Sequence, residues 1–250
     1  MDNNKFYDES FCLIIPARLK SSRLPNKVLK KIKNITILEH VYNICKKKID
    51  EKIIFVATPD VEIQKLCKRK KIKFLKTSQK CLTGTDRISE ASKKLKKKYI
   101  INVQADEIFL DPKNIINVCR EIKKKKYSVI NCFGTIKKKE DFFSKSVPKV
   151  VMNEKKELMY ISRAPIPSSK KYHFNKSHKQ ICVYGFTKKI LLKFGKNNTK
   201  TKIENFEDIE ILRFLEKGIK IKMINGKGSE LAIDTKKDFL LAKNILNKNY

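Results

Sequence analysis

The sequence predicts an α/β fold in which a mainly parallel sheet is flanked by helices and carries a small antiparallel insertion. Two patterns point there. Up to residue 135, apolar runs of strand length alternate with amphipathic stretches of helix length, as right-handed βαβ crossovers require. Near Val147 this rhythm gives way to short strands around the polar turn Asn153-Glu154-Lys155-Lys156, which marks an antiparallel segment. The 250 residues hold no internal repeat, no Pro- or Ser-rich linker and no apolar run near the roughly 20 residues that cross a bilayer. Residues 1–250 therefore read as a single domain, with residues 147–187 as the insertion.

The elements follow in order. Residues 11–16 are continuously apolar, as a strand buried on both faces must be. Further strands are predicted at 52–58, 72–75, 99–104 and 128–135, with helical patterns between them at 36–48, 60–70, 85–97 and 112–125. Strands at 148–152, 157–162 and 180–186 form the insertion, from which a polar loop, 167–179, projects. A helix at 203–217, a strand at 219–224 and a helix at 235–247 complete the chain. Ligands of such sheets sit beyond the carboxyl ends of the strands. The turn 17–27, the loop 77–85 and the loop starting at Ala105 share that edge.

A formal net charge of +33 suggests nucleic acid, but the kind of cation argues against it. There are 52 lysines and only seven arginines, whereas base-reading and phosphate-clamping surfaces favour the arginine fork. The lysine-rich runs at 46–48, 68–71, 94–98, 123–126 and 137–139 are dispersed, mostly at the ends of predicted helices, where cations suit the dipole. An AT-rich coding sequence would produce that excess. We expect no nucleic-acid partner and a field that draws small anions. The polar, partly acidic first ten residues are wrong for a secretory or transit signal, so a cytoplasmic protein with no membrane partner is expected. Seven cysteines without a Cys-x-x-Cys pair read as buried free thiols in a reducing compartment. Of the histidines, none is paired at zinc-binding helical spacing, and His40 reads as structural.

The most informative segment runs from Leu13 to Lys27, where an apolar strand feeds a polar turn carrying Arg18, Arg23 and Lys27. It is either an ordinary strand, loop and helix start, or a turn that holds a polyphosphate. No Gly-x-x-x-x-Gly-Lys or Gly-x-Gly-x-x-Gly motif is present and no glycine precedes Gly84, so any nucleotide is gripped by side chains. The strand 101–103 emerges with Gln104, Asp106 and Glu107; an aspartate there either caps a plain turn or holds Mg²⁺, which takes one or two carboxylates plus substrate phosphates. Asp234 fits a second carboxylate or a helix N-cap.

These motifs closely resemble those of the 3-deoxy-manno-octulosonate (KDO) cytidylyltransferases. Ile15-Pro16-Ala17-Arg18-Leu19-Lys20-Ser21-Ser22-Arg23-Leu24-Pro25-Asn26-Lys27 fills every fixed position of the family's Ile-Pro-Ala-Arg-x-x-Ser-x-Arg-Leu-Pro-x-Lys. Asn102-Val103-Gln104-Ala105-Asp106-Glu107 is similar to Asn-Val-Gln-Gly-Asp-Glu, with Ala105 in place of a glycine. Ile233-Asp234-Thr235, Thr83-Gly84-Thr85-Asp86-Arg87, Tyr160 to Pro167, Val183 to Phe186 and the run Glu204, Glu207, Glu210, Leu212, Arg213 resemble the remaining signatures.

The resemblance implies a Rossmann-like fold of the nucleotide-diphospho-sugar transferase type. It implies an enzyme that uses CTP and Mg²⁺ to activate an acidic 3-deoxy sugar, most closely KDO, for lipopolysaccharide-type glycans, and that dimerises through the insertion. Carried over by position, Arg18, Lys27, Asp106 and Asp234 are catalytic, with Asp106 and Asp234 holding the metal. Ala17, Arg18, Arg23, Lys27, Thr83, Gly84 and Gln104 bind the nucleotide. Gln104, Arg163, Gln180, Tyr184, Glu207 and Glu210 bind the sugar, Arg163 through a bidentate contact to its carboxylate. The glutamates, spaced by three, share one helical face that either is simply solvated or hydrogen-bonds a polyhydroxylated acid. Gln180 replaces a family histidine, Ile211 a glutamine and Ser168 a tryptophan. Those departures make a related acidic sugar, an 8-amino KDO analogue or a nonulosonic acid, the alternative substrate. Rivals of other classes are a basic nucleic-acid-binding module and a catalytically silent interaction protein.

Overall fold

A computed structural model describes residues 5–174, 176–197, 199–228 and 231–248. In chain order the elements are β1 (Phe11–Pro16), a 3₁₀ turn (Lys27–Leu29), the hairpin β2 (Lys31–Ile32) and β3 (Ile35–Thr36), α1 (Ile37–Lys46), β4 (Ile54–Thr58), α2 (Val61–Arg69), β5 (Phe74–Lys76), α3 (Gly84–Lys93), β6 (Tyr99–Val103), α4 (Lys113–Lys123) and β7 (Val129–Thr135). There follow α5 (Lys139–Phe143), β8 (Lys149–Met152), β9 (Leu158–Ser162), β10 (His178–Thr187), α6 (Lys188–Phe194), α7 (Lys202–Glu207), α8 (Leu212–Glu216), β11 (Ile221–Asn225) and α9 (Lys236–Lys248).

The main sheet runs β11-β7-β10-β6-β1-β4-β5, with β8 and β9 attached through β10. Strand β1 pairs in parallel with β4 and β6, as the crossovers predicted. Its six residues are all buried because both faces are covered: Leu13 and Ile15 pack under α1, α2 and α4, while Cys12 and Ile14 face the layer of α3, α6 and α8. No described helix is long and apolar enough to cross a membrane. The described cysteines are free, six of them buried and Cys182 half-buried.

Three expectations are corrected. The third strand of the insertion is not peripheral: β10 is ten residues long and lies antiparallel between β6 and β7, in the middle of the main sheet. The β8–β9 hairpin joins the sheet through the pairing of β8 with the start of β10. Second, the helix expected at 203–217 is broken into α7 and α8, because Asp208 takes a left-handed conformation (φ 50°) and ends α7. Third, the helix expected from Thr85 begins at Gly84, since Thr83 and Asp86 form a capping box in which each side chain accepts from the other's backbone N–H. Two short helices, α5 and α6, fall where no helix was predicted.

One buried ion network ties the site's helices together. Arg213, fully buried, donates to Asp86 on α3 at 2.7 Å and to Glu204 on α7 at 2.6 Å, and its guanidinium lies 3.7 Å from the centroid of the Phe194 ring. Both anions also serve as capping-box carboxylates, so one cation fixes the starts of two helices.

Candidate active site

At the carboxyl ends of the strands two clefts adjoin, of about 280 and 640 Å³, with Gln104, Asp106, Asp208, Glu210 and Asp234 lining both. The smaller is walled by the loop after β1. Ala17 gives its backbone N–H to Ala57 O at 2.9 Å, which aims the chain out of the sheet, and Leu19 N–H donates to Asp60 Oδ2 at 2.8 Å. Arg18 and Arg23 stand exposed on this loop, while Lys27 turns inward from the 3₁₀ turn. Its ammonium lies 2.6 Å from Asp106 Oδ2 and 3.1 Å from Asp234 Oδ1, and Arg23 reaches Asp234 Oδ2 at 3.4 Å. Burial alone would depress the Lys27 pKa, but the two carboxylates outweigh it and hold it above the ordinary lysine value.

Thus the structure brings Arg23 and Lys27, cations that the sequence places in one turn, together with Asp106 and Asp234, which only the resemblance had joined to them. Asp234 is not spent on a helix cap: Thr235 Oγ1 and Asp238 Oδ2 cap the start of α9 between them, which leaves the Asp234 carboxylate facing Lys27. Among the described residues no three His, Cys, Asp or Glu side chains converge to hold a metal by themselves. Two carboxylates already converge on one positive charge, that of Lys27. Such a donor set suits a divalent ion that shares its remaining positions with phosphate oxygens and water. Ala105 has no positive φ, so an alanine fits there without strain.

The loop before α3 forms the floor. A Cβ on Gly84 would lie 3.2 Å from Gln104 Nε2 and 3.3 Å from Glu210 Oε1, so the glycine lets both side chains approach the helix start. Thr83, by contrast, does not open into either cleft; its buried hydroxyl is committed to the cap. Arg87, which sequence reading did not single out, does line the smaller cleft and donates to Thr77 Oγ1 at 2.7 Å. Burial pushes its pKa down. Its signal was there: in a chain so dominated by lysine, an arginine is a position where the fork is needed.

The larger cleft lies between α5 and α9, with Gln180, Tyr184 and Arg163 along its wall. Burial raises the pKa of Tyr184 and of the neighbouring thiol of Cys182 well above their ordinary values. Here the expectation of one acidic helical face fails, because α7 ends before Glu210. Glu204 pairs with Arg213. Glu207 accepts from Ser162 Oγ at 2.5 Å and from Arg163 N–H at 2.9 Å and does not line the cleft. Glu210 accepts from the N–H groups of Gly84 at 2.9 Å and Thr85 at 2.7 Å, and from the Thr85 hydroxyl. Its carboxylate therefore sits at the α3 N-terminus, between the clefts, with its pKa raised by burial against those hydrogen bonds.

Gln180 has a defined polarity. The Asn131 amide donates to Ile181 O at 2.9 Å and Val183 O at 3.0 Å, across the β-bulge in β10. Carbonyls only accept, so the Asn131 oxygen is left to face Gln180, whose Nε2 donates to it at 3.0 Å. The Gln180 oxygen is the end turned to the cleft. No histidine lines either cleft.

A sequence profile of the cytidylyltransferase family matches residues 12–221. The chain belongs to that family. It is 36% identical to the 3-deoxy-manno-octulosonate cytidylyltransferase of Thermodesulfovibrio yellowstonii, over 94% of this chain and 97% of the relative. With the same enzyme of Elusimicrobium minutum it shares 33%, over 95% and 98%. Among solved structures, a CMP:2-keto-3-deoxy-manno-octonic acid synthetase complexed with CTP superposes with a TM-score of 0.87 at 24% identity, over 96% of this chain and all of the other. A putative glucose-1-phosphate thymidylyltransferase of Bacillus anthracis has a TM-score of 0.68 at 14% identity, over 94% of each chain. Both share the cytidylyltransferase fold seen here, a mainly parallel sheet between helices.

Proposed function

We propose that the protein transfers the cytidylyl group of CTP to the anomeric hydroxyl of KDO, giving CMP-KDO and pyrophosphate. The observation that carries this reading is the convergence of Lys27, Asp106 and Asp234 at the junction of the clefts, beside Arg18 and Arg23. The nucleotide enters the smaller cleft, where Arg18, Arg23 and Lys27 offset the charge of the triphosphate. The sugar acid occupies the larger. Its anomeric oxygen forms the new bond to the α-phosphorus as the bond to the β-phosphate oxygen breaks, pyrophosphate leaves and the hydroxyl proton is lost. The reacting atoms must lie in line, so positioning and charge neutralisation supply most of the rate.

Asp106 and Asp234 would hold Mg²⁺, which when bound neutralises phosphate charge and acidifies the attacking hydroxyl. The same reading places the protein in the cytoplasm, where CTP is made, in the supply of lipopolysaccharide-type glycans. It also makes the protein a homodimer through the β8–β9 hairpin, on which Met159 is 59% exposed. Light scattering on the purified chain tests the dimer.

A second acceptor is favoured by the polarity of Gln180. A carbonyl oxygen facing the cleft accepts from a hydroxyl and even better from an ammonium group, which suits an amino analogue of KDO. Pyrophosphate release with CTP and Mg²⁺ against a panel of 3-deoxy sugar acids, with the other three nucleotides as controls, tests both readings. Release with no member of the panel would refute them.

A further inference from the structure

Of the buried groups that the proposed reaction leaves unused, Lys149 stands apart. It opens β8, its side chain is fully buried, and among the described residues its ammonium is not ion-paired with any carboxylate. Instead it donates to Ser144 O at 2.8 Å and to Arg163 O at 2.5 Å. Those carbonyls belong to two segments that line the larger cleft. Arg163 is held in turn: Nε donates to Glu207 O at 2.6 Å, Nη1 to Lys145 O at 2.9 Å and Nη2 to Asp208 O at 3.1 Å. A guanidinium has five N–H donors, so part of the fork remains for a ligand.

Two cations, Lys149 and Arg163, thus stand behind one wall of the cleft; Glu207 is the carboxylate that acts on Lys149, and Asp208, which also feels the Arg163 charge, is already paired with Lys200 at 2.7 Å. One positive charge is in surplus. A buried ammonium without a counter-charge is costly, so its retention calls for an anion that arrives from outside. We propose that Lys149 is a positioning residue for acid binding: its ammonium braces the segments that place Arg163, and with the guanidinium it leaves a net positive charge that seats the substrate's carboxylate. The proposal rests on the reading of the acceptor as a sugar acid.

Titration supports it. Burial, together with the charge of Arg163 on the segment after β9, pushes the Lys149 pKa down to about 8, against the opposing pull of Glu207 on α7. Below that pH the surplus charge is present; above it the charge is lost. Carboxylate binding raises the proton affinity of Lys149 in return, because the linkage is reciprocal.

The test is steady-state kinetics of the full chain with CTP and KDO between about pH 6.5 and 9.5, for the wild type, Lys149→Met and Lys149→Arg. In the wild type KM for KDO should hold steady and then climb about tenfold above pH 8, while KM for CTP stays level. Lys149→Met should show the raised KM for KDO, again about tenfold, at every pH, with kcat little changed. Lys149→Arg, which does not titrate, should bring KM back down and remove the alkaline rise. A Lys149→Met variant whose KM values for KDO and CTP rise together, or which keeps the wild-type alkaline rise, overturns the proposal. Should that variant not fold, the wild-type profile decides: turnover with a KM for KDO that stays flat to pH 9.5 refutes the role of Lys149. Absence of turnover with KDO refutes the reading beneath it.

Discussion

The two clefts share a border and treat their charges in opposite ways. In the smaller, Arg18 and Arg23 project from a loop as exposed side chains, and the two carboxylates meet Lys27, with Arg23 also 3.4 Å from Asp234. In and behind the wall of the larger, Arg163 and the buried Lys149 donate to backbone carbonyls, Glu207 accepts from a hydroxyl and an N–H outside the cleft, and Gln180 donates to Asn131. On the proposed reading the smaller cleft takes a triphosphate, whose several charges exposed cations can offset. The larger, on the same reading, takes a polyhydroxylated acid, which donors and acceptors held in place discriminate by their fixed geometry.

The contrast can be broken at several points. Asp106→Asn removes a carboxylate from the shared border and should lower kcat about ten-thousandfold, roughly 5.5 kcal/mol, without shifting the melting temperature by more than a few degrees. Pyrophosphate release measures it, and a variant retaining over about a tenth of the rate would remove Asp106 from the chemistry. Arg213→Met strands Asp86 and Glu204 in the interior and should cost about 3–5 kcal/mol in urea unfolding. A loss below ~1 kcal/mol would mean that the helices do not depend on that network.

Smaller effects sharpen the comparison. Glu210→Gln exchanges one acceptor for a donor at the α3 N-terminus and should cost about 1–2 kcal/mol of stability. Because Glu210 lines both clefts, KM should rise for both substrates, and a rise for only one would assign it to that side. Gln180→Leu should raise KM for the sugar about tenfold, roughly 1.4 kcal/mol, and leave that for CTP unchanged. The last test concerns pH. Lys149 titrates near 8 when folded, below the ordinary 10.5, so the unfolded chain binds the extra proton between these values. Stability conferred by this group therefore increases as pH rises through that window. Urea melts of wild type against Lys149→Met should show that increase in the wild type only, and parallel curves would argue against a buried charge at this site.

How much of this was legible in the chain depended on how locally each feature is made. The strand Phe11–Pro16 and the cationic loop after it could be read directly, because a doubly buried strand demands an unbroken apolar run and the next residues carry the cations in one turn. Asp106 and Asp234 were legible as carboxylates at strand or helix ends, but each alone was compatible with an ordinary cap. The sugar side was read least well. The spacing of Glu204, Glu207 and Glu210 suggested one face of one helix, and nothing in that spacing shows that Asp208 turns left-handed.

By itself, then, the sequence determined the alternation that makes a parallel sheet, the polarity of the first loop and the buried thiols, because these follow from hydrophobic period and neighbouring residues. Tertiary structure alone decided that β10 enters the middle of the sheet antiparallel and that α7 stops at Asp208. It also decided that Glu210 reaches the start of α3, 126 residues away at Gly84, and that Lys27 meets carboxylates 79 and 207 positions along the chain. Such contacts arise where a buried polar group must find a partner, and which partner is near is set by the packing of distant elements rather than by the residues beside it.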